Sequence, residues 1–263
     1  MSAGEPGEVA KRLDEAWRSR QAIEPLSETI GLNSPEDAYA IQTSWARLRA
    51  KDGEEMLGHK IGLTSKGMRE QIGVNEPDYG QLWASRFFPA EGGEVTVPTD
   101  VFIQPRLEGE LAFLLGKPLK GADITREQVL EATDAVAVAA EIIDSRITDW
   151  RIKLVDTIAD NASFGAFTLG PWDRALGRAD LRTLGMLVQI NGSVALEATG
   201  SAVLGDPLLS VAWLASKLNT LGMAVNAGDI VLAGAFGASI PAQRGDEFVI
   251  DTFGQPSLKV RFG

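Results

Sequence analysis

From residue 135 to residue 143 the sequence runs through small and branched apolar side chains with a single charge among them, Glu141. Val136, Val138, Ala140 and Ile142 alternate with Ala137, Ala139, Glu141 and Ile143, so the strand predicted over residues 135–144 is apolar on both faces for most of its length. Such a strand is expected to be covered from both sides. A lone carboxylate in it then needs a partner, because a buried charge left unpaired is strongly unfavourable.

A second strand is predicted over residues 106–115, and it holds two more carboxylates. Side chains two apart in a strand share a face, so Glu108 and Glu110 project together while Leu107, Leu111 and Phe113 turn to a core. Gly109 between them leaves room for close packing on the opposite face. Two adjacent carboxylates repel, and either they face bulk water or a cation compensates them. Spacing alone fits two arrangements equally well. In one, Glu108 and Glu110 lie on a solvated edge strand and Glu141 pairs with Arg106 or Arg146. In the other, Glu108, Glu110 and Glu141 gather around a hard cation such as Mg²⁺ or Mn²⁺, for which oxygen ligands without His or Cys are the natural donors.

Composition narrows the chemistry. The 263 residues include no cysteine and one histidine, His59, which excludes thiolate and multi-histidine metal sites, cysteine nucleophiles and a Ser/His/Asp triad. A formal charge of −11 argues against nucleic acid or an anionic membrane as partner. An anionic substrate would need a local positive centre, either basic side chains or a bound cation. With neither a signal-peptide pattern nor a membrane-length apolar run, the expected location is the cytoplasm.

Val9, Leu13 and Trp17 recur at helical spacing near the N-terminus. A second helix is signalled by Ser34 as cap, Pro35 in the first turn, the apolar stripe Ala38, Ile41, Trp45 and Leu48, and a stop at Asp52-Gly53. Further on, Thr125 with Gln128 opens a helix, Asn191-Gly192 marks a two-residue hairpin turn, and Asp206-Pro207 starts a helix that ends at Gly222. Strands are predicted around residues 230–232, 248–250 and 258–260. Many strands with few helices and no strict alternation give an α+β class. The chain divides into a helical N-terminal part, residues 1–75, and a β-rich body, residues 76–263.

Lys60 lies beside Ile61 and Leu63 in a β-like run, where burial would lower its pKa; an ordinary surface lysine fits the local pattern as well. Asp78 is either an acid/base group or a turn former in Glu76-Pro77-Asp78-Tyr79-Gly80. Residues 156–163 concentrate polar groups that suit substrate binding or capping, and Gly234-Ala235-Phe236-Gly237 suits a close backbone approach to a ligand.

Taken in order, Lys60-Ile61-Gly62-Leu63-Thr64-Ser65-Lys66, Glu76-Pro77-Asp78-Tyr79-Gly80, the run 104–110, Glu141-Ile142-Ile143-Asp144-Ser145-Arg146-Ile147 and the run 156–163 resemble a known family. They are similar to the 2-hydroxypenta-2,4-dienoate (2-keto-4-pentenoate) hydratases and 4-oxalocrotonate decarboxylases of the fumarylacetoacetate hydrolase superfamily. The resemblance covers nearly the whole chain. It implies a β-rich roll or barrel-like body, Glu108, Glu110 and Glu141 as ligands of Mg²⁺ or Mn²⁺, Lys60 and Asp78 as catalytic groups, and Thr64, Ser65 and Ser163 beside the substrate. The substrate implied is a small 2-hydroxy-dienoic or 2-oxo acid from meta-cleavage degradation of aromatic compounds. Relatives form homo-oligomers, often pentamer-based, and associate with the decarboxylase of their pathway.

Within that resemblance, Asp78 and the stretch 147–153 favour a hydratase. Two rivals are a 4-oxalocrotonate decarboxylase, for which Arg86 is available to a second carboxylate, and a non-catalytic partner subunit. Trp83-Ala84-Ser85-Arg86 and Ala235 depart from the usual pattern and are expected to alter the pocket for the substrate tail.

Overall fold

Capping chemistry sets the helical layer. The computed structural model describes residues 5–65, 69 and 75–263; Lys66, part of the motif above, lies outside them. Helix α1 is Pro6–Ser19, α2 is Leu26–Thr29 and α3 is Pro35–Lys51. The Ser34 side chain accepts from the Asp37 N–H at 3.2 Å, and Pro35 sits in the first turn where its missing N–H costs nothing. Val9, Leu13, Trp17, Ala38, Ile41 and Trp45 are buried, as their spacing predicts; Leu48 is half-buried at the margin.

The body consists of two sheets. Strands β1 (Met56–Gly62), β2 (Asp78–Trp83), β4 (Arg106–Leu115), β5 (Thr133–Ile143), β6 (Phe164–Leu169) and β9 (Ile230–Leu232) form the larger, in the order β2-β1-β9-β4-β5-β6, with β10 (Ile240–Pro241) also paired to β4. Strands β3 (Glu94–Val97), β7 (Gly185–Ile190), β8 (Ser193–Thr199), β11 (Glu247–Thr252) and β12 (Leu258–Phe262) form the smaller, in the order β3-β12-β11-β7-β8. Residues 56–62, grouped in sequence with the N-terminal part, are thus a strand inside the larger sheet, between β2 and β9. Three further helices are α4 (Arg126–Ala132), α5 (Leu154–Ala159) and α6 (Pro207–Thr220). The α4 start is a full capping box between Thr125 and Gln128, and Asp206 caps α6. At the β7–β8 hairpin Asn191 and Gly192 both take positive φ, 52° and 79°, as the predicted turn requires.

The two-faced character expected of β4 and β5 is realised. Leu107, Leu111, Phe113, Val136, Val138, Ala140 and Ile142 share a core with Val188, Phe248, Ile250 and Val260 of the smaller sheet. Ala112 and Ala139, on the other face, join Trp17, Trp45, Trp83 and Phe164 beneath the helices. A Cβ on Gly109 would fall 2.7 Å from Met186 Sδ and 3.0 Å from Val188, so the glycine sits where the two sheets press together. Among the described residues no helix is long and apolar enough to cross a membrane.

Candidate metal centre and active site

Register brings the three glutamates together. Glu108 of β4 lies opposite Glu141 of β5 in the antiparallel ladder, and Glu110 follows two residues along on the same face. One oxygen of each carboxylate lies within 4.8 Å of the others. Glu110 and Glu141 are buried, and Glu108 is half-buried at a cavity wall. The solvated edge strand is therefore ruled out. Glu141 pairs neither with Arg106, which donates to Ser239 Oγ at 2.7 Å, nor with Arg146, which is committed to Asp160. Its neighbour is Lys60, with Nζ 3.2 Å from Oε1.

The cluster is short of positive charge and of donors. Both oxygens of Glu141 and Oε1 of Glu110 have no hydrogen-bond partner, while Glu110 Oε2 accepts from the Gly234 N–H at 2.8 Å. Burial raises the pKa of all three carboxyls, and mutual repulsion raises Glu110 further; Glu141 is pushed up to about 7 despite Lys60. Orphaned oxygens on Glu110 and Glu141, converging with the half-buried Glu108 carboxylate, are the donor set of a hard divalent cation. The residues fit such an ion.

Lys60 is buried, as its flanks suggest, but the expected downward pKa shift is overturned. Burial acts to lower it; Glu141, Asp78, Glu108 and Glu110 outweigh burial and hold the ammonium above its usual range. Its Nζ also donates to the Ala162 carbonyl at 2.8 Å. Asp78 opens β2 opposite Gly62 and is buried, which raises its carboxyl; Lys60 and the Thr157 hydroxyl oppose that rise. Gly62 is required there, since its Cβ would fall 2.1 Å from Asp78 Oδ1. His59 points away from Lys60 across the strand, and burial lowers its pKa to about 4, leaving it neutral.

These groups floor a cavity of about 430 Å³ whose wall includes Lys60, Asp78, Glu108, Thr64, Ser65 and Ser163. Of the expected site residues, only Glu110 and Glu141 lie behind that surface. Thr64 is buried against Gly234, where a Cβ would meet it at 2.3 Å. The loop Gly234-Ala235-Phe236 therefore spends its amide on Glu110, and Ala235 lines the cavity. The run 156–163 divides its labour: Asp156 accepts from Ser27 and the Lys153 N–H, Asp160 pairs with Arg146, and Thr157 and Ser163 face the cavity 3.2 Å apart.

Asn161, Ala162 and Ser163 all have positive φ, 54°, 50° and 54°. Left-handed backbone costs an L residue about 1–2 kcal/mol, so this turn persists only because its surroundings hold it.

Sequence reasoning missed Arg106, Trp150 and Lys153, which also line the cavity. Arg106 was legible: it precedes Glu108 by two residues and so shares its face. Arg86, offered above to a second substrate carboxylate, is displaced from that role. Its guanidinium lies 4.3 Å from the Trp17 ring centroid, it donates to the Val101 carbonyl, and it is no part of the cavity wall. Trp83 likewise packs with Trp17 and Trp45 and is no part of the cavity wall.

Residues 68–262 match the family model described as fumarylacetoacetate (FAA) hydrolase C-terminal. The 2-hydroxyhexa-2,4-dienoate hydratase of Comamonas testosteroni is 42% identical over 252 residues, covering 96% of this chain and 95% of its own. The 2-keto-4-pentenoate hydratase of Paraburkholderia xenovorans (strain LB400) is 38% identical over 262 residues, covering 100% and 96%. Among solved structures, 4-oxalocrotonate decarboxylase from Pseudomonas putida G7, complexed with magnesium and adipate, superposes with a TM-score of 0.94 at 31% identity, covering 100% of this chain and 99% of that one. Fold, the order of the motifs and these full-length relatives agree: the chain belongs to the fumarylacetoacetate hydrolase family.

Proposed function

We propose that this protein is a metal-dependent hydratase that adds water to 2-hydroxypenta-2,4-dienoate, or a substituted analogue, giving a 4-hydroxy-2-oxo acid in meta-cleavage degradation of aromatic compounds. The observation that carries the reading is the convergence of Glu108, Glu110 and Glu141, with orphaned oxygens on the last two, beside Lys60 and Asp78 at and just behind the floor of one cavity. The three glutamates would hold Mg²⁺ or Mn²⁺, which when bound supplies Lewis acidity toward the carboxylate and 2-oxygen of a chelated acid.

The protein's own groups supply the proton traffic. Lys60, kept as an ammonium by its carboxylate neighbours, gives a proton to the terminal carbon of the dienol and recovers one from the 2-hydroxyl, leaving the α,β-unsaturated ketone. Asp78, whose carboxyl burial raises, is the base toward the water that adds at the β-carbon. Thr64, Ser65 and Ser163 bind the polar end of the substrate. Its tail runs toward Trp150, Ile152 and Leu154, with Arg106 and Lys153 on the same wall.

One observation favours a second reading. Arg106 on the cavity wall is a group that a second carboxylate would meet, as in a 4-oxalocrotonate decarboxylase. Purified protein with Mn²⁺, offered each substrate separately, decides between them. Hydrated product without CO₂ is expected. CO₂ release from 4-oxalocrotonate without hydration makes it the decarboxylase, and neither reaction in a metal-loaded protein makes it a non-catalytic partner subunit.

The working form is proposed as a cytoplasmic homo-oligomer, pentamer-based, that associates with a pathway decarboxylase. Val194 on edge strand β8 and Phe253 after β11, 57% and 91% exposed, support a contact between copies of the chain. Sedimentation of the purified protein checks the assembly.

A further inference from the structure

Of the left-handed turn at residues 161–163 the reaction scheme uses only Ser163, yet the turn's backbone reaches the centre of the site. Its Ala162 carbonyl accepts from Lys60 Nζ at 2.8 Å. The ion-pair partner of that ammonium within 4 Å among the described residues is Glu141, at 3.2 Å. The carbonyl therefore sets which way the ammonium leans from the carboxylates.

The turn is pinned at both ends. Asn161 Oδ1 accepts from the Gln81 N–H at 2.8 Å and Asn161 Nδ2 donates to the Gln81 carbonyl at 3.0 Å, so one side chain pairs with β2 as a neighbouring strand would. Gln81 follows Gly80, the register partner of Lys60 in the β1–β2 ladder. A Cβ on Gly80 would lie 2.4 Å from the Asn161 carbonyl oxygen, so the turn presses on β2 at the position opposite Lys60. At the other end, the Ser163 carbonyl accepts from the Asp144 N–H at 2.8 Å, and Ser163 N–H donates to the Asp160 carbonyl at 3.0 Å. Asp160 is itself held by Arg146.

We infer that Asn161 is a positioning residue for Lys60. By clamping both atoms of its amide to Gln81 it fixes three strained residues and aims the Ala162 carbonyl at the Lys60 ammonium. Asn161 is buried and is no part of the cavity wall, so it acts through that carbonyl. The inference rests on the hydratase reading for its assay.

Asn161→Gly tests it, because glycine accepts positive φ without strain while removing both clamp bonds. Gly80→Ala is the second variant; it pushes the same turn from the β2 side and leaves Asn161 in place. Ser34→Ala, at the α3 cap far from the site, controls for general loss of stability. The assay is steady-state hydration by the Mn²⁺-loaded protein, with calorimetric Mn²⁺ uptake and the unfolding midpoint measured alongside.

Both turn variants are expected to lose about tenfold to a hundredfold in kcat, with KM moving less than about threefold, as a sub-ångström misplacement of a reacting group does. Mn²⁺ uptake persists, and Ser34→Ala keeps kcat at a comparable midpoint. Wild-type kcat in either folded turn variant overturns the inference. So does failure of both to fold, or loss of Mn²⁺ uptake in step with kcat, either of which makes the clamp structural only. An inactive wild type overturns the hydratase reading instead.

Discussion

Two ion pairs buried in the larger sheet and its loops, among the described residues, are built on opposite terms. Arg146 and Asp160 are fully enclosed, and their polar atoms are answered. The guanidinium donates to Asp160 Oδ1, to the carbonyls of Asp144, Phe164 and Asp160, and lies 5.2 Å and 5.4 Å from the Trp17 and Trp45 ring centroids. Asp160 Oδ2 accepts from the Ser145 hydroxyl and the Arg146 N–H. Lys60 and Glu141 are buried as deeply, but both Glu141 oxygens remain without hydrogen bonds and two more glutamates crowd them. The first pair is complete as folded. The second is a place kept ready for something the chain does not itself provide.

Removing a carboxylate charge from the unfinished cluster should have the largest effect. Glu108→Gln is expected to cut metal-dependent turnover by at least about a thousandfold with the fold intact, since Lewis-acid stabilisation is worth several kcal/mol. Circular dichroism beside the kinetic assay checks it; full turnover in metal-stripped Glu108→Gln would mean the cluster is not a metal centre.

Breaking the completed pair comes next, and it should act on stability. Asp160→Asn leaves the buried Arg146 charge uncompensated and should cost about 3–5 kcal/mol in denaturant unfolding. A loss below about 1 kcal/mol would erase the distinction between the two pairs.

Metal and pH sharpen the contrast on a smaller scale. Mn²⁺ at about a hundred times its Kd should stabilise the protein by about 2.7 kcal/mol, seen as a higher unfolding midpoint. Without metal, Glu141 titrates at about 7 when folded against roughly 4.3 for an unfolded glutamate. The folded state then holds a proton that the unfolded chain releases. That contribution is at its best below about pH 4.3 and is lost as pH rises to about 7. Glu141→Gln should flatten this part of the metal-free midpoint-against-pH curve; an unchanged slope would mean Glu141 is not the group responsible.

The smallest effect belongs to the helical layer. Ser34→Ala removes the α3 cap and should cost about 1 kcal/mol with unchanged turnover. A change in KM would tie that layer to the site.

Period and capping made much of this legible. Alternation in residues 135–143 announced a strand covered on both faces, and it is covered by helices and by the smaller sheet. Glu108 and Glu110 were placed on one face by spacing alone. What spacing cannot give is the pairing of distant strands: that Glu108 stands opposite Glu141, that β1 enters the same sheet, or that Arg146 turns to Asp160. The Lys60 shift was misjudged for the same reason, since its sign depends on four carboxylates brought in by other strands. Nothing in residues 156–163 distinguishes a left-handed turn from ordinary capping until the Gln81 backbone is beside it.

Gly109 leads to a last consequence. The peptide between Glu108 and Glu110 bears directly on Met186 and Val188, with no side chain as cushion. The smaller sheet, which contributes no acidic group to the cluster, thereby backs the stretch of β4 that carries both carboxylates. Enlarging the Met186 side chain is therefore expected to press on the carboxylate cluster from behind, with every oxygen left as it is.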